Sequence, residues 1–252
     1  MGSLKKKRAL VTGGGQGLGY AIVEQLIEAD ADVAIHYFSS EAGALELKRR
    51  AKPGQRIEAF RADLTRVPEA ESLVKRSAEF LGGLDILINN AGDLVQRRAI
   101  QELDEDFWKR TMDINVNSMA FVTRAAIPLL AAAGQASIVN LSSLAGRKGG
   151  HPGSLAYSTA KGAILTWTRA LALELGPKGI RVNALAPGFI LGTRFHATHT
   201  TEASAQATVQ QIPLGRAGTP ADVARAALFL ASEYDGFITG ATLDINGGVY
   251  CA

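Results

Sequence analysis

The order of apolar and polar residues along the chain predicts a regular alternation of strands and helices. Short apolar runs are typical of buried strands, and longer stretches with apolar residues every three or four positions are typical of core-facing helices. The expected strands cover residues 8–12, 32–37, 56–61, 84–89, 136–141, 181–185 and 242–245. The expected helices cover 20–29, 41–51, 68–81, 104–130 in two pieces, a stretch through 157–161 to about 175, and 220–231.

This alternation predicts right-handed βαβ units and a parallel sheet covered on both faces. Apart from residues 56–61, which alternate, the strands are largely apolar throughout, which agrees with burial on both sides of the sheet. The chain contains neither a linker nor a low-complexity run. We therefore expect one α/β domain over residues 1–252, with a doubly wound parallel sheet of about seven strands.

Composition excludes several classes of protein. The chain has 252 residues, of which 47% are hydrophobic and 20% charged, as in an ordinary globular domain. The net charge is +3, but no cluster of basic and aromatic residues follows the run Lys5–Arg8, so nucleic-acid binding is not expected. The single cysteine, Cys251, permits no internal disulfide. Without a signal-peptide pattern or an 18-residue apolar run, we expect a cytoplasmic protein without a membrane partner.

A glycine-rich loop, Gly13-Gly-Gly-Gln-Gly-Leu-Gly19, stands between the first strand and the first helix. Backbone N–H groups at a helix N-terminus carry partial positive charge and suit a pyrophosphate, and glycines let the backbone approach it. The spacing is Gly13-x-x-x-Gly17-x-Gly19 rather than Gly-x-Gly-x-x-Gly, since residue 18 is leucine. The loop predicts a phosphate site, with a tight turn that binds no ligand as the alternative.

Tyr157 and Lys161 are four residues apart, so on a helix they share one face. A phenol normally ionises near pH ~10, and a neighbouring ammonium favours the phenolate and lowers that pKa. The pair is therefore a candidate proton donor and acceptor for an alcohol or a ketone.

Four motifs follow one another in a fixed order: Thr12-Gly13-x-x-x-Gly17-x-Gly19, Asn89-Asn90-Ala91-Gly92, Tyr157-x-x-x-Lys161 and Pro187-Gly188. Together, from about Lys7 to Gly248, they resemble the short-chain dehydrogenase/reductase family in its compact single-domain form. The resemblance implies a Rossmann-type fold and an oxidoreductase that acts on CH–OH and C=O groups with NAD(P) as cofactor.

The resemblance also implies a catalytic tetrad of Asn115, Ser143, Tyr157 and Lys161. Tyr157 would exchange a proton with the substrate oxygen, and Lys161 would lower its pKa and hold the nicotinamide ribose. Ser143 would hydrogen-bond the reacting oxygen, and Asn115 would position a water. Ser142 is an alternative to Ser143, and Asn117 is an alternative to Asn115.

The end of the second strand bears on the choice of cofactor. An acid there would bind a ribose 2′-hydroxyl and repel a 2′-phosphate, but Tyr37 takes that position and Ser39 and Ser40 follow. We expect NADP(H), with NAD(H) possible because Gln16 stands where many NADP-binding relatives have a basic residue. The implied cofactor contacts are Gly13, Gly15, Gln16, Gly17, Leu18, Gly19, Tyr37, Ser39, Ser40, Asp63, Leu64, Asn90, Ala91, Gly92, Tyr157, Lys161, Pro187, Gly188, Ile190 and Thr193.

A variable lid over the substrate is expected at about residues 190–212, and its centre is small and polar. This composition favours a small polar substrate of a sugar or polyol type. His151, His196 and His199 are either pocket or surface residues, and since they lack metal-ligand spacing we expect no metal.

A 3-oxoacyl-[acyl-carrier-protein] reductase is the alternative. Relatives of that type carry basic residues for an acidic carrier, but residues 131–137 are uncharged here and Leu173 takes the corresponding helix position. A non-catalytic nucleotide-binding scaffold is a third possibility, against which the intact tetrad argues. By resemblance we expect a homotetramer, and the helices at 104–130 and 157–175, rich in Ala and Leu and with Trp167, would suit its interfaces.

Overall fold

Seven parallel strands form one sheet in the described residues of the computed structural model, which are 4–193, 201–232 and 236–251. The strand order is β3-β2-β1-β4-β5-β6-β7, which confirms the predicted doubly wound parallel sheet. The strands are β1 (Arg8–Val11), β2 (Asp32–Tyr37), β3 (Ile57–Arg61), β4 (Ile86–Asn89), β5 (Ala136–Leu141), β6 (Ile180–Pro187) and β7 (Thr242–Ile245).

Helices cover both faces of this sheet. They are α1 (Gly17–Glu28), α2 (Glu41–Arg49), α3 (Val67–Leu81), α4 (Glu105–Met112), α5 (Ser118–Ala132), α6 (Leu144–Lys148), α7 (Leu155–Leu175), α8 (Glu202–Gln210) and α9 (Pro220–Ala231). Two buried clusters flank the sheet, one built on α1, α2 and α9 and the other on α3, α5 and α7. Strands β1 to β6 contribute side chains to both clusters, whereas β7 contributes only Ile245, to the first cluster.

The structure differs from the prediction in the start of one helix and in the presence of two additional helices. Helix α1 begins at Gly17 rather than at residue 20, so the last glycines of the loop form its first turn. Two helices were not predicted, the short α6 after β5 and α8 inside the expected lid. Both lie in segments without a strong apolar period, which is the signal that sequence analysis uses.

The long fourth helix consists of two pieces, as predicted, and a π-helical turn at Asp113–Asn117 joins α4 to α5. By length and composition alone, Glu105–Ala132 could cross a membrane, with 39% of its most apolar window buried inside the protein. Here α5 packs against α3 and contributes to the core beside the sheet, and core helices commonly pass the same test.

A buried histidine ties three segments together at the end of β2. The Nδ1 atom of His36 accepts a hydrogen bond of 2.9 Å from the Gly13 N–H, and Nε2 lies 3.1 Å from the Ala62 carbonyl oxygen. Since a backbone N–H only donates and a carbonyl only accepts, the ring must be neutral with its proton on Nε2. His36 thereby fixes the glycine loop to the chain after β3.

Burial is the main cause of a low pKa for His36, which falls from its ordinary 6.5 to about 4. The bond to Ala62 and the charge of Asp63 oppose this shift, and the charge of Arg76 adds to it. Protonation would also remove the acceptor for Gly13, so the neutral ring belongs to the folded state.

We expect the unfolding free energy to fall on acidification because of His36. The unfolded chain takes up this proton at pH 6.5 and the folded chain only near 4, so the contribution is complete above 6.5 and is lost as the pH falls from 6.5 to 4. The loss amounts to about 3 kcal/mol. Urea titrations of the wild type between pH 7 and 4 measure it.

Two substitutions separate the histidine's hydrogen bonds. His36→Asn keeps an acceptor near the Nδ1 position, and His36→Gln keeps a donor near the Nε2 position. Both variants should lose the pH-dependent contribution, and each should lose about 1–3 kcal/mol at pH 7 from one orphaned partner. An acid dependence equal to that of the wild type in both variants would contradict this account.

Candidate active site

A cleft of about 1520 Å³ runs along the carboxyl edge of the sheet. Parallel strands place their carboxyl ends at the same edge, and the order reverses between β1 and β4, where ligands bind in such sheets. The residues expected to hold a cofactor that line this cleft are Gly13, Gln16, Gly17, Leu18, Ser39, Ser40, Asp63, Leu64, Asn90, Ala91, Gly92, Tyr157, Lys161, Pro187, Gly188, Ile190 and Thr193.

The glycine loop opens the cleft at the start of α1. Gln16 is the N-cap residue, and its side chain makes no capping hydrogen bond, while the first turn carries no acidic residue. The amides of this turn therefore have no competing partner on their own helix. Gly17 has φ of +56°, and a Cβ there would meet nothing closer than 3.8 Å. This open, positively polarised turn fits the pyrophosphate of a dinucleotide.

Three expected cofactor contacts do not line the cleft, and packing explains each. A Cβ on Gly15 would overlap the Ser40 carbonyl oxygen, and one on Gly19 would overlap the Gly13 carbonyl oxygen. These glycines thus allow close backbone packing behind the loop. Tyr37 is buried, and its hydroxyl donates to the Glu41 carboxylate over 2.8 Å. In the structure these three residues support the loop and the strand, and their contact with a cofactor stays a prediction.

Phe38, Ser39 and Ser40 form the wall of the cleft after β2. No carboxylate from this segment is among the described residues that line the cleft, because Glu41 is turned to Tyr37. The guanidinium of Arg61 lies 5.6 Å from the centre of the Phe38 ring, and its Nε donates to the Phe38 carbonyl. The wall is therefore polar and carries no negative charge.

Thr12 and Asn90 brace the central strands below the cleft. The Thr12 hydroxyl accepts hydrogen bonds of 3.0 Å from the backbone N–H groups of Asn90 and Ala91. The Asn90 amide donates in turn to the carbonyl oxygens of Thr12 and Gly13. The ends of β1 and β4 are thereby locked side by side, which fixes the floor of the cleft.

A reciprocal pair of hydrogen bonds fixes the helix that carries Tyr157 and Lys161. Ser142 Oγ donates to the Lys161 carbonyl over 2.7 Å, and Lys161 Nζ donates to the Leu141 carbonyl over 2.9 Å. Ser142 and Lys161 are both buried. The end of β5 and the middle of α7 thus form one rigid unit, and Ser142 has a structural partner for its hydroxyl.

Ser143 is the N-cap residue of α6, where its Oγ accepts a hydrogen bond of 3.1 Å from the Ala145 N–H. The Ser143 hydroxyl is also hydrogen-bonded to Tyr157, and both side chains line the cleft. Of the two serines left open by the sequence, Ser143 is the one whose hydroxyl meets Tyr157.

Asn115 lies in the π-helical turn and is fully buried. Its Nδ2 donates to the carbonyl oxygens of Asp93 over 2.7 Å and Thr111 over 3.0 Å, and its Oδ1 accepts from the Asp93 N–H over 3.1 Å. The wider turn brings this amide inward, as π-bulges often do at functional sites. Asn117 is exposed and donates to the Asp113 carboxylate, so it lies outside this network.

The acidity of the tyrosine differs from the expectation. Burial raises the pKa of Tyr157 to about 12, the hydrogen bond from Ser143 lowers it in part, and the charge of Asp93 raises it further. Burial also lowers the pKa of Lys161 to about 8. The Lys161 Nζ lies 5.6 Å from the centre of the Tyr157 ring and donates to the Leu141 carbonyl. In this structure desolvation outweighs the lowering of the tyrosine pKa that Lys161 was expected to cause.

Several residues in the cleft were missed by sequence analysis: His36, Phe38, Asp93, Phe189 and Val249. A polar residue inside an apolar strand could have drawn attention to His36, and the position after Asn90-Ala91-Gly92 could have drawn attention to Asp93. His151 is exposed and lines the cleft, whereas His196 and His199 lie outside the described residues. Among the described residues, no group of His, Cys, Asp and Glu could hold a metal ion.

Comparison with known proteins identifies relatives across the whole chain. A family model described as enoyl-(acyl carrier protein) reductase matches residues 13–250. The 3-oxoacyl-[acyl-carrier-protein] reductase FabG of Chlamydia pneumoniae is 35% identical over 247 residues, which cover 98% of each chain.

Solved structures agree with this relationship. A putative short-chain alcohol dehydrogenase from Sinorhizobium meliloti 1021 superposes with a TM-score of 0.90 at 34% identity, over 98% of this chain and 97% of the other. An NADH-dependent reductase, A1-R′, responsible for alginate metabolism superposes with a TM-score of 0.87 at 33% identity, over 99% of both chains. The chain therefore belongs to the short-chain dehydrogenase/reductase family, whose members are oxidoreductases that act on CH–OH or C=O groups with NAD(P)(H).

Proposed function

We propose that the protein is an NADP(H)-dependent oxidoreductase for a small polar carbonyl or hydroxyl compound of a sugar or polyol type. One observation carries the proposal: the hydrogen-bonded pair Ser143 and Tyr157 lines the same cleft as the uncapped first turn of α1. The acid–base group and the phosphate site thus belong to one continuous site, as hydride transfer requires.

When bound, the nicotinamide supplies or accepts the hydride. Tyr157 holds the proton: with a pKa of about 12 the phenol is protonated at neutral pH and can donate to a carbonyl oxygen that is becoming an alcohol. Ser143 shares a hydrogen bond with Tyr157 and is the second donor available to the reacting oxygen. In the oxidation direction Tyr157 must first lose its proton, so oxidation is favoured by alkaline pH.

Lys161 and Asn115 complete the proposed site. A Cβ built on Gly92 would lie 3.0 Å from the Lys161 Nζ, so the ammonium borders the wall where the ribose of the cofactor would lie. We propose that Lys161 binds the ribose of the cofactor and stabilises the negative charge of Tyr157 when the phenol is deprotonated. The Asn115 side-chain amide is hydrogen-bonded to the backbone of Asp93. We propose that Asn115 also positions the water that connects Lys161 to solvent.

The preference for NADP(H) rests on the wall after β2. Ser39 and Ser40 offer hydroxyl groups there, and no carboxylate of this wall faces the cleft. A 2′-phosphate would meet donors rather than a negative charge. The alginate-related reductase of the same fold is named as NADH-dependent, so NADH remains the alternative cofactor.

A second candidate is a 3-oxoacyl-[acyl-carrier-protein] reductase, which the similarity to the Chlamydia pneumoniae enzyme favours. Against it, Leu173 is 82% exposed on α7 where a basic residue would be expected, and residues 131–137 carry no charge. An acidic carrier would gain little electrostatic steering there. A non-catalytic scaffold is the least favoured, since it needs neither Ser143 nor Tyr157.

We also propose a cytoplasmic homotetramer. Large apolar side chains are exposed on α7, α9 and β7, namely Leu173, Phe229 and Leu243. Burial of such residues between copies of the chain would stabilise an assembly. Light scattering on the purified protein should give the mass of four chains, and a monomer would contradict this part of the proposal.

Removal of the tyrosine hydroxyl tests the chemistry. Tyr157→Phe should lower turnover by about 10²–10⁴-fold, because the proton donor is lost while the ring remains. The dissociation constant for NADPH, measured by fluorescence, should stay within about twofold, since Gly17 and the wall after β2 are unchanged. Turnover is followed by NADPH absorbance across a panel of sugars, polyols and ketones.

Tyr20→Phe is the matched control. The Tyr20 hydroxyl donates to Glu46 at the surface and lies outside the cleft, so this variant should turn over like the wild type. Equal activity of Tyr157→Phe and the wild type would disprove the proposed mechanism. NADPH binding without turnover of any carbonyl would favour the scaffold, and strong activity on acetoacetyl thioesters would favour the carrier-protein reductase.

An added carboxylate tests the cofactor preference. The wild type should bind NADPH about tenfold or more tightly than NADH, and Ser39→Asp should weaken NADPH binding by about tenfold because the acid repels the 2′-phosphate. NADH binding should change little. Asparagine has nearly the shape of aspartate but no charge, so Ser39→Asn should still bind NADPH more tightly than NADH. A wild type that prefers NADH would contradict the preference.

A further inference from the structure

Asp93 is a carboxylate in the catalytic cleft to which the proposed chemistry assigns no role. It follows the Asn90-Ala91-Gly92 motif, and its exposed side chain lines the same cavity as Ser143 and Tyr157. The side chain makes no hydrogen bond or ion pair with any residue that the structure describes. Because a Cβ on the preceding Gly92 would lie 3.0 Å from the Lys161 Nζ, the backbone of Asp93 adjoins the proposed acid–base groups, and its carboxylate is exposed in the same cleft.

The backbone of Asp93 is held rigidly. The amide of the buried Asn115 bonds both its N–H, over 3.1 Å, and its carbonyl, over 2.7 Å. Two residues further on, Val95 has φ of +65° and the Gln96 N–H bonds back to the Leu94 carbonyl over 2.8 Å. The tight turn continues to Arg98, whose N–H donates to the Gly153 carbonyl over 2.8 Å. Asp93 is thus fixed in place relative to the segment before α7, which carries Tyr157.

The carboxylate also affects the reacting group. Of the described carboxylates, Asp93 is the one whose charge raises the pKa of Tyr157. The other charged residues that line the cleft are Asp63, Arg97, Lys148, Lys161, three residues of α4 (Asp106, Lys109 and Arg110) and Asp113 in the π-helical turn. The negative charge that acts on the acid–base group therefore belongs to Asp93.

A carboxylate within reach of the atoms next to the reacting carbonyl would discriminate among substrates by the group that they carry there. It accepts hydrogen bonds but cannot donate them, so a neighbouring hydroxyl satisfies it. A methyl group leaves it desolvated without a partner, and a carboxylate or phosphate is repelled. A 3-oxoacyl thioester presents only acceptors there.

We propose that Asp93 is a specificity-determining residue, whose carboxylate accepts a hydrogen bond from a hydroxyl adjacent to the reacting carbonyl. It selects neutral hydroxy ketones, and the corresponding diols, over unsubstituted ketones and oxo acids. This inference rests on the proposed oxidoreductase function and names the substrate class of the same site.

Three compounds that differ at one position test it: 1-hydroxybutan-2-one, butan-2-one and 2-oxobutanoate, each reduced with NADPH and, in parallel, NADH. The wild type should reduce the hydroxy ketone with a kcat/KM at least about tenfold above that for butan-2-one, and higher still relative to 2-oxobutanoate. In Asp93→Asn, the ratio of hydroxy ketone to oxo acid should fall by at least about tenfold, since the charge is gone and an amide donor is present.

Asp106→Asn is the matched control, because Asp106 lines the cleft on α4 and should leave the ratio unchanged. NADPH binding to each variant, measured by fluorescence, shows that it has folded with an intact cofactor site. If Asp93→Asn does not bind NADPH, the order of kcat/KM for the three compounds in the wild type still tests the inference.

Two results would overturn the inference while the proposed function stands: a wild type that reduces carbonyls without preferring the hydroxy ketone, or equal ratios in Asp93→Asn and Asp106→Asn. A wild type that binds neither cofactor, or reduces none of the three compounds or the wider panel, overturns both.

Discussion

The exchange of hydrogen bonds between the end of β5 and the middle of α7 is the constraint on which the site depends. Ser142 donates to the backbone of Lys161, and Lys161 donates to the backbone of Leu141. Since both side chains are buried, these bonds have no water to compete with them. They fix α7 on the sheet edge, and that position lets Tyr157 meet Ser143 at the start of α6. A loose helix would leave the acid–base group without its partner.

Burial then sets the protonation states. The same enclosure that holds α7 raises the pKa of Tyr157 and lowers that of Lys161. His36 is kept neutral for the same reason at the cofactor end of the cleft. Lys161 and His36 are oriented by backbone atoms and Tyr157 by the Ser143 hydroxyl, rather than by an opposite charge. For Tyr157 burial is the largest influence on the pKa, and the charge of Asp93 adds to it in the same direction.

The relatives share the fold of this chain although their names describe different activities. Proteins named as a carrier-protein reductase, a short-chain alcohol dehydrogenase and an alginate-related reductase align over nearly the whole chain at 33–35% identity. The TM-scores of 0.90 and 0.87 show that the overall fold is common to the two solved structures and this chain. A shared fold does not fix the substrate, and we propose that Asp93, in a loop above the carboxyl edge, contributes to that choice in this protein.

The sequence by itself determined the alternation of elements, the parallel sheet and the order of motifs, because apolar periodicity and glycine spacing are local signals. The order of motifs also indicated Ser143, Tyr157 and Lys161 as candidate catalytic residues. Only the tertiary structure decided that Tyr37 turns away to Glu41, that Gly15 and Gly19 serve close packing, and that the tyrosine's pKa rises. These outcomes depend on burial and on partners distant in the chain, such as Asp93 and Asn115, and no local pattern encodes those distances.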